Sequence, residues 1–178
     1  LVSCPVTASD HIEPFLQANV EEQWVYYCCG QGNKVSNRFL AMPSYRNRIM
    51  GLQMYRWGIK GFLQWGYNFY NAYCSLYPVN PYQTTSGDGA YPSGDAFSVY
   101  PGKNGPLLSL RALVFHEGLQ DILVCRLLES YIGKEAVVHM IEEEAGMPIH
   151  FDQYPKNPEF ILSLREKMTE KIKAFLVK

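Results

Sequence analysis

The feature that most narrows this chain is an alternation of short β-prone runs with longer amphipathic ones. Residues 1–6 read as a strand. Residues 9–20 read as a helix, with Ser9 or Asp10 as N-cap and Ile12, Phe15, Leu16 and Val20 near helical spacing. Residues 24–29 form a second strand of aromatic and β-forming residues, broken by Gly30-Gln31-Gly32-Asn33. Residues 44–57 are helical and stop at Gly58; residues 59–65 are a buried third strand; residues 95–100 are a fourth, ended by Pro101-Gly102. Strand followed by helix, repeated, builds a parallel sheet, because every parallel return needs a long crossover. Four such units make half of a (β/α)8 barrel or a small open sheet. Three helices close the chain, over about 109–131, 134–145 and 158–177. The expected domains are 1–133, the sheet with its helices, and 134–178, a helical extension.

The stretch Ile59 to Tyr70 holds the densest ligand chemistry. It runs as a strand to Trp65, then releases Gly66, Tyr67, Asn68, Phe69 and Tyr70. In a parallel sheet the functional groups lie beyond the strand C-termini. Rings stack on the C–H face of a sugar and an amide orients a hydroxyl, so the predicted substrate-binding residues are Tyr26, Tyr27, Trp65, Tyr67 and Asn68. Alternation along the second strand puts Trp24, Tyr26 and Cys28 on one face and Val25, Tyr27 and Cys29 on the other. Sequence alone leaves open which face turns inward. The chain holds 13 Tyr and is 14% aromatic, an excess that favours a ligand-binding surface. The connection 66–94 is too long for a plain loop and too rich in Tyr for simple disorder.

Other chemistries find little support. A formal charge of −1 offers no basic excess for phosphates, which argues against nucleic acid. No run is apolar and long enough to span a membrane. The four His are scattered without H-x-x-x-H spacing, and the adjacent Cys28 and Cys29 point to opposite faces, so neither a metal nor another cofactor is expected. The five Cys read as small core hydrophobes. G-x-S-x-G, G-x-G-x-x-G and phosphate-loop motifs are absent. Among carboxylates, Glu142-Glu143-Glu144 reads as a solvated helix face. Glu117 and Asp121 read as ion-pair partners of Arg111 or Arg126, and Asp88 as a turn residue. None of these carboxylates falls at the C-terminus of a predicted strand, so no acid/base pair is named. The first residue is Leu1, without an initiator Met or a signal peptide; the expectation is a processed chain or a piece of something longer.

Several stretches, in order, resemble the C-terminal part of glycoside hydrolase family 123-like proteins, whose shared segment was long a domain of unknown function. They are Gln23 to Cys28, Asn37-Arg38-Phe39-Leu40 with Pro43 and Arg48, Gly58 to Trp65 with Asn68, Gly94-Asp95 through Gly102, and Ser109-Leu110-Arg111 with Gly118 and Asp121. The resemblance implies the C-terminal half of a (β/α)8 barrel, with four parallel strands and additional C-terminal helices. It implies action on N-acetyl-β-galactosaminides by a substrate-assisted route, in which the sugar's own acetamido oxygen attacks the anomeric carbon. An Asp-Glu pair serves that chemistry, and no Asp-Glu dipeptide occurs in this sequence. The implied partners are therefore an N-acetylhexosamine-containing glycan and a missing N-terminal half-barrel, or another chain completing the barrel. An extracellular or periplasmic setting is implied by the resemblance only. The long helix departs from the family's charged run, having Leu113, His116, Gln120, Ile122 and Leu123 instead. A non-catalytic carbohydrate-binding or structural domain from a degenerate member is the alternative reading.

Overall fold

Three short strands lie side by side in the order β1 (Val2–Ser3), β2 (Glu22–Tyr26) and β3 (Gly61–Leu63), all parallel. The structure is a computed structural model, and it describes residues 2–3, 12–18 and 20–177. The remainder of the expected first strand, and the start of the expected first helix, lie outside the described residues. Helix α1 (Ile12–Gln17) joins β1 to β2. Helices α2 (Ser44–Arg48) and α3 (Met50–Trp57) join β2 to β3 and continue one another through Ile49, which keeps helical dihedrals. These crossovers are what let the strands run parallel.

The fourth expected strand does not join this sheet. Residues 66–94 form no helix of more than one turn, so the chain has no crossover with which to return parallel. It comes back antiparallel instead. The Phe69 N–H donates to the Ala96 carbonyl at 3.0 Å, the Ser98 N–H donates to the Tyr67 carbonyl at 2.8 Å, and Asn68 bridges Phe97. Beyond it, β4 (Val99–Gly102) turns through Lys103-Asn104 into β5 (Gly105–Leu108) as an antiparallel hairpin. Pro101-Gly102, expected to end a strand, sits inside this ladder, with Gly102 paired to Gly105 across the Lys103-Asn104 turn. Four parallel strands are thus corrected to three parallel strands and a separate hairpin. The third strand is also shorter and less buried than 59–65 implied, since Leu63 is 41% exposed.

Helices α4 (Leu110–Ile132), α5 (Lys134–Ala145) and α6 (Pro158–Leu176) follow. The Ser109 hydroxyl caps α4 by accepting from the Ala112 N–H at 3.2 Å. Asn157 caps α6 by accepting from the Phe160 N–H at 2.9 Å, ahead of Pro158 in the first turn. The apolar stripes of α3 to α6 meet in one core that includes Leu52, Leu128, Ile141, Leu164 and Met168. A second core beneath the sheet joins Val25, Tyr27 and Ile59 to Met50, Met54 and Phe151. Burying each of these side chains is worth about 1.5–3 kcal/mol. The two cores share α3 and α4, whose Phe115 and Ile122 pack on the second core, so these two helices hold the sheet to the C-terminal helices. Among the described residues, no helix is long and apolar enough to cross a membrane.

Candidate functional site

β2 and β3 end side by side, so the residues after each strand gather at one end of the sheet. Burial settles which face of β2 is which. Val25 and Tyr27 have no exposed surface and face the helices. Trp24 and Tyr26 are half-buried on the opposite face. The register sets Gly61 beside Trp24 and Leu63 beside Tyr26 on that face.

Tyr27 therefore cannot stack on a ligand, and its expected role is corrected. Its ring packs edge-on to Phe62 at 4.8 Å and near Phe151 at 6.4 Å. Its hydroxyl shares a hydrogen bond with the Ser36 Oγ. Burial pushes that phenol up to about 12, so it is neutral at ordinary pH. Gln53 completes the network: its side-chain oxygen accepts from Ser36 Oγ at 3.1 Å and its amide donates to the His150 carbonyl at 2.8 Å. Buried polar groups satisfied in this way fix a core.

The other predicted residues sit nearer to one another. Gly66 is where the chain leaving β3 passes the segment returning from the long loop. A Cβ there would lie 2.7 Å from both the Asp95 carbonyl oxygen and the Ala96 Cα, so only Gly admits this approach. The approach brings the Trp65 indole N–H to Asp95 Oδ2 at 3.1 Å. Around the indole lie Tyr91 at 4.9 Å and Phe69 at 5.5 Å, ring centre to ring centre. Tyr67 is half-exposed and Asn68 is exposed, both along the antiparallel return. Tyr26 comes from the neighbouring strand, and the Asp95 charge acts on its hydroxyl.

Asp95 is a carboxylate that the sequence reading weighed and set aside as an acid/base group. It lies 30 positions from Trp65, and its Gly94-Asp95 step gives no strand-end signal. It is 2% exposed, and its second oxygen, Oδ1, meets no donor in ordinary hydrogen-bond geometry. Burial pushes its carboxyl above the usual carboxylate range; the Trp65 and Cys29 hydrogen bonds and the Arg38 charge offset part of that. Cys29 is pushed up to about 11, by burial first and then by Asp95 and Cys28. Burial, and after it Cys28, also raises Tyr26. The cluster thus sets one buried carboxylate, held by Trp65 and Cys29, behind half-exposed aromatic faces. That combination can take a hydroxyl-bearing, flat-faced ligand.

The remaining carboxylates are structural. Asp121 pairs neither with Arg111 nor with Arg126. It takes Arg48 on both oxygens, at 2.7 and 2.9 Å, and also Arg165, tying α2, α4 and α6 together. Arg111 instead donates to the backbone carbonyls of Arg38 and Gly94. Glu142 pairs with Arg56 at 2.9 Å and Glu144 with Lys167. Asp88 accepts from the Tyr77 hydroxyl within the long loop, at a left-handed position with φ 60°. A family profile described as glycoside hydrolase 123, catalytic domain, matches residues 1–128. No curated protein sequence matches the chain.

Proposed function

Because the chain belongs to the glycoside hydrolase 123 catalytic-domain family, we propose that it supplies the sugar-holding wall of a glycosidase site for N-acetylhexosamine-containing glycans. The Trp65 ring takes the C–H face of the sugar. Asp95, buried behind the indole, holds its N–H and so fixes the ring, and Tyr26, Tyr67 and Asn68 border the same end of the sheet. The observation that carries this reading is the Trp65–Asp95 hydrogen bond at 3.1 Å, which joins an aromatic face to an acceptor beyond the end of β3.

Glycosidases that use two protein carboxylates set them about 5–5.5 Å apart for retention and about 6.5–9.5 Å apart for inversion. Asp95 stands at this site as the carboxylate acting on Tyr26, Cys29 and Tyr91. One carboxylate among the described residues of the site suits a substrate-assisted route in which an Asp-Glu pair on another segment orients the acetamido group and protonates the leaving oxygen. Among the described residues the edge strands β1 and β3 each have one unpaired side, which supports completion of a barrel by further strands, from a longer chain or another chain. The absence of an Asp-Glu dipeptide favours, as a second reading, a domain that binds glycan without cleaving it.

The test is turnover and binding of 4-nitrophenyl N-acetyl-β-galactosaminide. The expected result for these 178 residues is binding without turnover. Turnover by this chain alone would place the acid within it and overturn the assignment. No binding at all would remove the sugar wall.

A further inference from the structure

Cys28 and Cys29 are neighbours in sequence, and in a continuing strand their side chains would point to opposite faces. The structure overturns that expectation, because β2 ends at Tyr26 and the chain bends at Cys29. Cys28 is still extended, with φ −151° and ψ −155°, while Cys29 opens a single 3₁₀ turn, Cys29–Gln31. The turn swings the second side chain back, and the two sulfurs lie 4.0 Å apart. Polar contacts fix this turn. The Cys28 N–H donates to Gln31 Oε1 at 2.9 Å, and the buried Asn37 amide donates to the Cys28 and Gly32 carbonyls at 2.9 and 2.7 Å.

Both thiols are free, and both residues keep part of their surface exposed. Cys125, by contrast, is sealed among the helices against Met168. The pair also touches both polar groups of the sugar wall: Cys28 hydrogen-bonds the Tyr26 hydroxyl, and Cys29 hydrogen-bonds Asp95. A disulfide between adjacent residues closes a small ring. The trans peptide holds its Cα atoms about 3.8 Å apart, closer than the roughly 4.4–6.8 Å of ordinary disulfides. Such a bond is strained and easily reduced again, which sets it among labile disulfides and not structural ones.

We propose that Cys28 and Cys29 are a redox-modified site, closing a reversible vicinal disulfide at the expense of a small organic disulfide and loosening the sugar wall when closed. Ring closure rests on the thiol geometry alone; its effect on sugar rests on the glycan reading above. Burial, and after it Asp95 and Cys28, pushes Cys29 up to about 11, so the first attack falls to Cys28. The Cys28 sulfur attacks one sulfur of the small disulfide, whose S–S bond breaks and releases one thiol. The Cys29 sulfur then attacks Cys28 in the mixed disulfide and releases the second thiol, a step made fast by the two sulfurs being held together. Two protein thiols are oxidised, one small disulfide is reduced, and the two protons leave on the released thiols. Closure takes the S–H donors from Tyr26 and Asp95, and with them part of the support behind Trp65.

The test equilibrates the purified protein in glutathione buffers of rising disulfide fraction, then blocks free thiols with N-ethylmaleimide. Trypsin with a glutamate-specific protease frees the peptide 23–34, which holds these two cysteines and parts them from Cys4. In oxidising buffer that peptide should take no label and weigh two hydrogens less than its thiol form, and dithiothreitol should restore it. Cys74→Ser should close like the native protein, and Cys29→Ser should stop at a glutathione adduct on Cys28. Labelling of both thiols throughout, a lasting adduct on the native pair, or a cross-link to another cysteine overturns the proposal. Calorimetry with N-acetyl-D-galactosamine should show the closed form binding about three- to tenfold more weakly, the size of one lost hydrogen bond. The double variant Cys28→Ser/Cys29→Ser should show one affinity in both buffers. Equal affinity of the closed and open native forms overturns the effect on the wall. Absence of sugar binding in both forms sinks the glycan reading, and the peptide mass still decides ring closure.

Discussion

Gly51 of α3 and Gly118 of α4 bring two helix backbones into direct contact: a Cβ built on Gly51 would lie 1.9 Å from the Gly118 carbonyl oxygen. On the other side of the crossing, a Cβ on Gly118 would lie 2.9 Å from the Arg48 carbonyl oxygen. In an exposed helix, Gly→Ala would gain about 1 kcal/mol from propensity. Here the overlap is with backbone, which cannot rotate away. Gly51→Ala should therefore destabilise, by roughly 1–3 kcal/mol net of that gain. Chemical denaturation checks the sign: a stabilised variant would mean that the helices do not touch.

The crossing also sets Asp121 within reach of Arg48 and Arg165. Its side chain is 5% exposed, while those of Arg48 and Arg165 keep 16% and 32%. Removing one partner of a buried pair costs about 3–5 kcal/mol, and the residual water contact of both arginines lowers that figure here. Asp121→Ala should cost roughly 2–3 kcal/mol, more than Arg165→Ala, because it strands two cations rather than freeing one. A double-mutant cycle between Asp121 and Arg165 should give a non-zero coupling. Additive losses would show that the contact carries no stability.

How far these features were legible depends on the range of the contact that makes them. Helices α4, α5 and α6 were legible because Ser109, Gly133, Gly146 and Pro158 punctuate long local patterns. The parallel strands were legible because helices 12–17 and 44–57 separate them. The fourth strand was misread because its partner is set by a tight turn at Lys103-Asn104 and by the return past Gly66. Neither leaves a period in the sequence. Tyr27 was misassigned because a buried tyrosine and a ligand-facing tyrosine look alike until burial on one face of β2 separates them. Asp95 was set aside for the opposite reason: its importance comes from Trp65, 30 residues away, and from a close approach at Gly66 that no local pattern announces.

Trp65 should dominate sugar affinity if the proposed wall is correct. Its indole is half-buried, so truncation removes a ring that is already positioned by Asp95, Tyr91 and Phe69. By analogy with ligand stacking on rings, Trp65→Ala should weaken N-acetylhexosamine binding by about 1–3 kcal/mol. Trp65→Phe keeps the face but loses the N–H donor, and should retain part of that binding. Equal affinity for all three proteins, measured by calorimetry, would remove Trp65 from the site.

Asp95 should make both stability and ligand binding depend on pH, in opposite directions. Its carboxyl is raised in the folded protein, chiefly by burial. In the unfolded chain it titrates near an ordinary aspartate, at about 3.9. Between those two values the folded state holds more protons than the unfolded one, so the stability contributed by this group falls as pH rises through the window. Asp95→Asn keeps an acceptor for the Trp65 N–H and cannot ionise. The variant's melting temperature should therefore gain on the native protein's as pH is raised from about 4 toward 7. Glu144, lowered by Lys167, titrates alike in both proteins and cancels in the comparison. Sugar binding by the native protein should rise over the same window, because the ionised carboxylate is the stronger acceptor for the Trp65 N–H and holds the indole in place, while the variant's binding stays flat. A constant gap in melting temperature, or pH-independent binding by the native protein, would mean that Asp95 neither titrates there nor positions the ring.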